Sequence, residues 1–400
     1  MPIGGDITQV ISEPARSLSR PPSPFKLFYS FLLLGVTAFG GPAMVAYIRR
    51  MVVEKNRWLD AASFSQLVAF CQMVPGATAM QASTFVGLKL RGVSGAALSF
   101  IGFALPSFVV MTVLAALYVH NKNIPAVTSA FNGLQAIIVS IVANAAITFG
   151  RSYIRNWQGV VIALAAAVLF GFGISPFLVI LLAAAAGIAL FWRQPAPPAT
   201  PSGQHLVTLK PVLIIIASFV AGFLALFLID KKLFDLAALM LRIDLFAFGG
   251  GFASVPLMFN EVVNVNHWMD GRTFLDGIAL GQITPGPIVI TATFVGYLLY
   301  GLLGAVVATI SVFLPSFLIV IGVAPYFDRL NSFPNFHRAV TGILCSFVGL
   351  LLSVAVLFAL KIPWDPWRIA IAGVAFVALF LKVEIYWVVL ARIVASVFLL

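Results

Sequence analysis

Long apolar segments separated by short polar ones recur along almost the whole chain. A helix needs about 20 apolar residues to cross the hydrocarbon core of a bilayer, and most of these segments have roughly that length. The pattern predicts an all-α, polytopic helical membrane protein with about 13 transmembrane segments. The predicted segments are residues 25–50, 64–90, 93–119, 127–150, 158–172, 175–192, 211–229, 234–259, 270–300, 302–323, 338–360, 366–382 and 384–400.

Polar stretches divide this series into parts. Residues 1–24 are polar and proline-rich and lack the apolar core of a signal peptide, so we interpret them as a flexible N-terminal tail. Residues 193–210 contain several prolines and predict a linker. The apolar segment 211–229 then connects two repeats, which we place at 25–192 and 234–400.

The two repeats contain the same rare residues in the same order. Apolar composition alone does not hold such residues in register, so the pattern indicates an internal duplication. The matching elements are Phe39-Gly40-Gly41-Pro42 with Phe248-Gly249-Gly250-Gly251, Trp58 with Trp268, Phe64 with Phe274, Gln72 to Gly76 with Gln282 to Gly286, and Leu105 to Phe108 with Leu314 to Phe317.

The orientation of the repeats follows from the predicted spans. An odd number of them precedes the second repeat, so the halves are predicted to be related by inverted symmetry. Loop 49–57 contains four basic residues, whereas its counterpart pairs Arg272 with acidic residues, a contrast expected of loops on opposite faces. The distribution of Lys and Arg mildly favours a cytoplasmic N-terminus. That choice nevertheless places loop 49–57 outside, against the positive-inside rule.

Composition supports the membrane assignment. Of the chain's residues, 61% are hydrophobic and only 9% are charged, which is too few charged residues to cover the surface of a soluble protein of this length. Its net charge of +11 fits basic cytoplasmic loops, and no basic stripe with interleaved aromatic residues points to nucleic acid. Cys71 and Cys345 lie in apolar segments, and the histidines form no cluster, so we predict neither a metal site nor a cofactor.

The segments 64–90 and 270–300 are each interrupted by proline and glycine, and we predict broken helices near the midplane. Proline and glycine free backbone groups, and such breaks occur in membranes where protein or a water-filled cavity covers them. The N-terminus of a half-helix offers free N–H groups and a positive dipole end, which favour an anion. A simple proline kink is the alternative. The candidate binding residues here are Gln72, Pro75, Gly76, Gln81, Gln282, Pro285, Gly286, Pro287 and Thr291.

The glycine-rich elements are a second candidate for solute binding. They can unwind a helix and expose backbone amides, although close helix packing would use the same residues. Their members are Gly40, Gly41, Pro42, Gly249, Gly250 and Gly251.

Arg242 and Asp244 lie inside an apolar run, where charges are costly and mark functional sites by default. We predict that Arg242 binds the solute and that Asp244 couples transport to protons. An interfacial arginine that reaches toward the headgroups is the alternative for Arg242.

Several motifs are absent from the sequence. There is no Walker Gly-Lys-Ser/Thr, which argues against an ATP-driven pump. There is also no His-Glu-x-x-His and no recognisable Ser/His/Asp set, so we do not expect an enzyme.

Taken in order and in both halves, these motifs resemble the chromate transporter family in its long-chain form. The resemblance rests on Phe-Gly-Gly-Pro, on Phe248 to Pro256, on the Pro-Gly and Pro-Gly-Pro breaks and on the paired Leu-Pro-Ser-Phe elements. It implies a multi-pass protein of the bacterial inner membrane that exports chromate, with sulfate as its chemical mimic, and antiparallel halves. Ala77 stands where the family's first break has its second proline, whereas Pro287 keeps that proline.

The resulting hypothesis is a secondary transporter that exports chromate, driven by the membrane potential, with proton or sulfate exchange left open. The partners are chromate, sulfate and the lipid bilayer, and a homodimer is left open. A transporter or channel for another anion such as sulfate is the alternative. An intramembrane enzyme is a third, for which no nucleophile or carboxylate cluster is found.

Overall fold

A computed structural model describes residues 20–39, 43–122, 124–192, 209–327, 330, 332–381 and 383. All regular structure in the described part is helical. The α-helices are α1 Pro24–Thr37, α2 Ala43–Arg49, α3 Ala61–Met73, α4 Thr78–Asn121, α5 Pro125–Tyr153, α6 Trp157–Gly171, α7 Pro176–Leu190, α8 Leu209–Ile229, α9 Lys231–Phe246, α10 Ser254–Phe259, α11 Gly271–Ile283, α12 Thr291–Val323, α13 Pro334–Lys361 and α14 Pro366–Phe380. π-helical turns Arg50–Lys55 and Asn260–Val265 extend α2 and α10, and 3-10 turns occur at Gly251–Ala253, Ile288–Ile290 and Ala324–Tyr326.

Local sequence explains where the helices begin. Aspartates cap the first turns of α3 and α11, where Asp60 accepts from Ser63 N at 2.8 Å and Asp270 accepts from Thr273 N at 3.0 Å. The hydrogen bond from Ser63 N holds the pKa of Asp60 below its usual value. These matching caps start the corresponding helix in each half.

Helix α11 folds back against the first part of α12. A Cβ on Gly281 would lie 2.8 Å from Thr291 Oγ1, and a Cβ on Gly277 would collide with the ring of Phe294. In the first half, the rings of Phe70 and Phe85 are 5.5 Å apart across the matching break. Segments 64–90 and 270–300 are therefore helical hairpins whose tips carry the Pro-Gly breaks. The prediction that each was one broken span was wrong in this respect.

The segment 234–259 also returns toward its starting side. Arg242 in α9 forms an ion pair with Glu261, which lies beyond the glycine-rich turn. A helix that continued straight would place two residues at this separation more than about 25 Å apart. The corresponding first-half turn, residues 40–42, lies outside the described residues.

In each half, a sharp turn separates the hairpin that carries the Pro-Gly break from the long helix that follows it. Arg91 and Gly92 leave helical geometry inside α4, and Gly92 has φ +63°. Tyr300 and Gly301 do the same inside α12. The turns allow the last part of each hairpin to pack closely on the long helix that follows.

The two long helices of the halves cross each other in antiparallel directions. The ring of Phe100 lies 5.1 Å from that of Phe317 and 6.4 Å from that of Phe313. Ala96, one turn earlier, clusters with Phe317 and with Ile321, which is one turn later. Because α4 and α12 are matching helices of the duplication, this crossing confirms inverted halves.

Within the described residues, five helical stretches are long and apolar enough to cross a membrane: Thr78–Asn121, Leu134–Tyr153, Pro211–Ile229, Ile288–Tyr326 and Pro334–Lys361. The multi-pass prediction is confirmed, whereas the structure does not confirm the count of about 13 spans. The hairpins lower the number of full crossings.

The hairpins also explain the basic loop that contradicted the positive-inside rule. The hairpin that α3 and the first part of α4 form begins and ends on the same side of the protein. Loop 50–60, which precedes α3, therefore lies on the same side as the turn at Arg91. Arg91 Nε in turn donates to Pro22 O at 2.5 Å, which brings the start of α1 to this side. We call it the basic face, and it includes Arg20, Lys26, Arg49, Arg50, Lys55, Arg57, Lys89 and Arg91.

Candidate functional site

The tips of the two break-containing hairpins meet the opposite half at mid-depth. Gly76 N donates to Ala247 O at 3.0 Å, and Gly286 N donates to Ala38 O at 3.0 Å. Each break therefore uses a carbonyl of the other half to satisfy one freed N–H group. The two contacts are reciprocal, as a pseudo-two-fold relation requires.

Asp244 is the ionisable group at this crossing. Its Oδ2 accepts from Ser316 N at 2.9 Å and from Ser316 Oγ at 2.7 Å, and Ser316 Oγ accepts from Ala77 N at 2.8 Å. Asp244 is fully buried, and its Oδ1 has no partner in the described part of the chain. A carboxylate thus joins α9, α12 and the first hairpin tip at the centre of the protein.

The first half lacks this carboxylate. Gly35 occupies the position that matches Asp244, and it packs against Phe103 and Pro106. Ser107, the match of Ser316, is buried and its Oγ has no partner among the described residues. The central polar network is therefore built on one side only of the pseudo-two-fold axis.

Two glutamines flank the tips. Gln81 Nε2 donates to Pro75 O, while Gln81 Oε1 and Gln282 Nε2 are buried without a partner within the described ranges. Unpaired buried amide groups are costly, so these atoms are candidates for contact with a solute or water.

A cavity of about 490 Å³ lies between the two halves, beside the tips. Its charged lining residue, within the described part, is Arg49. The lining residues are Met44, Val45, Ala46, Arg49, Phe64, Ser65, Val68, Gln72, Thr78, Ala79, Phe149, Tyr153, Gly249, Gly250, Gly251, Phe252, Pro287 and Ile288.

Three helical segments begin at this cavity. They start at Thr78, Gly251 and Ile288, and all three positions belong to the lining. The N–H groups of a first helical turn have no partner within their helix, and the dipole end is positive. The cavity therefore combines backbone donors, the Gln72 amide and the Arg49 guanidinium.

The glycines at the cavity are required by geometry. Gly249 has φ +88° and Gly250 has φ +97°, a region that other L-residues rarely adopt. A Cβ on Gly250 would also lie 2.7 Å from Thr78 Oγ1. The unwound turn of the second half can therefore approach the first helical turn of α4 closely.

The predicted binding residues and the predicted coupling residue Asp244 fall into three groups. Gln72, Gly249, Gly250, Gly251 and Pro287 line the cavity. Gly40, Gly41 and Pro42 lie outside the described residues. The cavity lining does not include Pro75, Gly76, Gln81, Arg242, Asp244, Gln282, Pro285, Gly286 and Thr291.

Arg242 lies at a different place, on the face opposite the basic face. It lines a shallow cavity of about 650 Å³ together with charged residues such as Lys232 and Asp235. Its guanidinium pairs with the buried Glu261 and lies 4.4 Å above the ring centre of Phe177. The guanidinium therefore neutralises Glu261, away from the cavity between the halves.

We expect Arg242→Gln to lower stability more than transport. The change would leave Glu261 buried without its cation, which we expect to cost about 1–3 kcal/mol because Arg242 is half-exposed. Thermal unfolding in detergent measures this loss, and Arg242→Gln/Glu261→Gln should recover most of it. A stable Arg242→Gln protein with strongly reduced flux would contradict this role and return Arg242 to the binding site.

Sequence reasoning missed several residues that the structure brings together. Arg49 counted only as a loop charge, and Ser316 only as part of a repeated motif. Asp276 counted only as one of the acidic residues near Arg272 in the loop that matches 49–57, yet it is buried and accepts from Tyr118 Oη and Gln135 Nε2, both at 2.9 Å. The repeated Leu-Pro-Ser-Phe element was the one available signal for Ser316.

Comparison with known proteins identifies relatives along most of the chain. The sequence matches the family described as "Chromate transporter" over residues 25–188 and 234–397. An uncharacterized transporter of Methanocaldococcus jannaschii is 43% identical over 382 residues, covering 95% of each chain. A chromate transport protein of Cupriavidus metallidurans is 31% identical over 89% of this chain and 88% of its own, and one of Pseudomonas aeruginosa is 32% identical over 83% and 80%. No solved structure matches the chain. The chain therefore belongs to the chromate transporter family.

Proposed function

We propose that this chain is a secondary transporter that exports chromate from the cytoplasm, and that the cavity between its halves is the inward-facing binding site. The observation that carries the proposal is the convergence of three helix starts and Arg49 on one cavity. Chromate is named as the transported solute of the relatives from Cupriavidus metallidurans and Pseudomonas aeruginosa.

The electrostatics of the cavity suit a tetrahedral dianion. Each helix N-terminus acts as roughly half a positive charge, so three helix starts and one arginine favour negative charge. Arg49 Nη1 contacts Glu54 at 2.9 Å, and both side chains are about half-exposed. Exposed pairs of this kind contribute at most about 1 kcal/mol, so an entering anion can displace Glu54.

The direction of transport rests on the charges of the basic face. Lys and Arg concentrate on cytoplasmic loops, so we assign the basic face to the cytoplasm. The lining residues Arg49 and Ser65 are exposed near that face, so we take the cavity to open toward it. A negative-inside potential favours exit of each negative charge by about 2.3 kcal/mol per 100 mV, which gives about 4–5 kcal/mol for a dianion. Export along this gradient requires no ATP.

We further propose that Asp244 takes part in coupling. It is a buried carboxylate in contact with a hairpin tip, and one of its oxygens is unpaired in the described part of the chain. Sulfate exchange is an equivalent route in energetic terms, because sulfate has the same charge and shape. We also propose that 25–192 and 234–400 are transporter repeats joined by 211–229, and that the protein lies in the inner membrane of a bacterium.

Purified protein in liposomes tests the proposal. We expect saturable chromate flux that increases with a potential negative on the basic-face side and that sulfate inhibits competitively. Imposing a pH gradient at zero potential separates proton coupling from exchange. Flux that neither saturates nor responds to potential would argue for a different function.

Arg49→Gln is expected to weaken chromate binding about tenfold, which corresponds to about 1.4 kcal/mol. The change removes the charged group of the cavity lining and leaves the helix starts in place. Arg50→Gln is the matched control because Arg50 is the adjacent exposed arginine outside the lining. Concentration-dependent flux gives both apparent KM values. Equal KM values for the two variants would remove Arg49 from the site.

A further inference from the structure

The internal duplication gives a position in the second half that corresponds to the cavity. Trp58 matches Trp268 and Phe64 matches Phe274, and in the same register Arg49 matches Phe259. Helices α5 and α13 both begin at a proline, and in that register Phe149 matches Phe358. The positions that match the cavity residues Arg49, Phe64 and Phe149 are therefore Phe259, Phe274 and Phe358.

These three phenylalanines pack together in the second half, at the position that corresponds to the open cavity of the first half. The ring of Phe259 lies 5.7 Å from that of Phe274 and 5.0 Å from that of Phe358. Their exposed fractions are 1%, 1% and 0%. Lys361 Nζ lies 5.1 Å from the ring centre of Phe259. We call Phe259, Phe274 and Phe358 the aromatic cluster.

The first half has the opposite arrangement. There, Phe149 stacks on Tyr153 at 5.6 Å and lies 6.4 Å from Phe252, which leaves the cavity open toward the basic face. Arginine at position 49 also brings charge where Phe259 brings an apolar ring. One end of the pathway between the halves is open, and the matching end is packed shut.

We propose that the aromatic cluster is the closed outer gate of the transport pathway. This inference rests on the proposed transport function. Inverted repeats exchange conformations to move a site from one face to the other, so the packing now seen in the second half must open when the first half closes. The Phe259, Phe274 and Phe358 rings separate in the outward-facing state, while Phe64 and Phe149 come together.

A polar connection favours the closed state of this gate. Helix α11 carries Phe274 in the aromatic cluster, and its Asp276 accepts hydrogen bonds from Tyr118 in α4 and from Gln135 in α5. The matching position in the first half is Gln66, which is partly buried and whose side chain makes no hydrogen bond within the described residues. Helix α11 is thus held to α4 and α5 by two hydrogen bonds that have no counterpart on α3 in the described part of the chain.

A disulfide across the gate tests the proposal. Phe259→Cys/Phe358→Cys is placed in a background with Cys71→Ala and Cys345→Ala, and flux is compared in the reduced and oxidised protein. We expect the oxidised protein to lose at least about 90% of its flux and to recover it on reduction, because the gate can no longer open. Phe64→Cys/Phe149→Cys is the matched inner pair, and it should cross-link far less without substrate. Full flux in the oxidised gate variant overturns the proposal.

Accessibility separates failure of the gate from failure of the proposed function. Phe259→Cys alone is labelled with a membrane-impermeant maleimide from the outer face, in protein reconstituted with one orientation. We expect slow labelling that chromate or sulfate accelerates several-fold. Labelling that is fast and independent of both anions shows an open pathway and overturns the gate. Anion-dependent labelling in a protein without net chromate flux supports the gate and rejects chromate export.

Discussion

Gly286→Ala is expected to reduce chromate flux about 100-fold. Gly286 has φ +107°, and a Cβ there would collide with Ser107 Oγ. Backbone strain of this kind costs about 1–3 kcal/mol, and loss of the hydrogen bond from Gly286 N to Ala38 O adds about 1 kcal/mol. Each 1.4 kcal/mol is a factor of about ten, so the hairpin tip would rarely occupy its native position.

Two variants separate strain from collision at the tip. Gly92→Ala has similar strain, since Gly92 has φ +63°, but no atom lies within 4 Å of its new Cβ. We expect it to lower stability and to leave flux per folded molecule nearly unchanged. Ser107→Gly in the Gly286→Ala protein should recover part of the flux by making room. Wild-type flux in Gly286→Ala would show that the tip is not part of the transport machinery.

Asp244→Asn is expected to abolish stimulation of flux by a pH gradient while retaining anion exchange. An asparagine oxygen can still accept from Ser316 N and Oγ, so the tip remains supported, but the side chain no longer binds and releases a proton. Asp244→Leu removes the acceptor as well, and we expect both activities to fall at least about tenfold.

Proteoliposomes with imposed gradients separate these activities. Counterflow of labelled chromate against unlabelled sulfate reports exchange, and accumulation under a pH gradient reports coupling. Ser316→Ala is the control, because it removes one of the two donors to Asp244 Oδ2 and leaves the carboxylate. An undiminished response of Asp244→Asn to the pH gradient would reject proton coupling through this residue.

The sequence predicted the duplication, the inverted halves and the position of the breaks, because rare residues in register carry that information. It did not predict that the chain reverses at the breaks. Helices α3 and α11 contain 13 residues each, or about 20 Å, and two such arms in line would cross a core of about 30 Å. A Pro-Gly break permits both continuation and return, so length alone favoured the wrong alternative.

Only part of the candidate cavity was predicted, because only some of its residues belong to motifs that can be recognised locally. Residues such as Gln72 and Gly250 lie at breaks and could be identified locally. The partners of charged residues could not be, since Arg242 pairs with Glu261 and Asp276 bonds with Tyr118 only after the chain has folded. Arg49 lies in a basic loop whose charges have a second explanation in membrane topology.

Helix α8 touches little of the protein, since only 6% of its apolar stretch is buried. Its position between the repeats supplies a single crossing, and that crossing turns the second half over. Any apolar helix of similar length should therefore serve in its place. The two halves should also assemble when they are produced as separate polypeptides, provided that flanking charges insert them in opposite orientations. A gene for this protein could thus be divided at the linker, with the membrane itself bringing the products together.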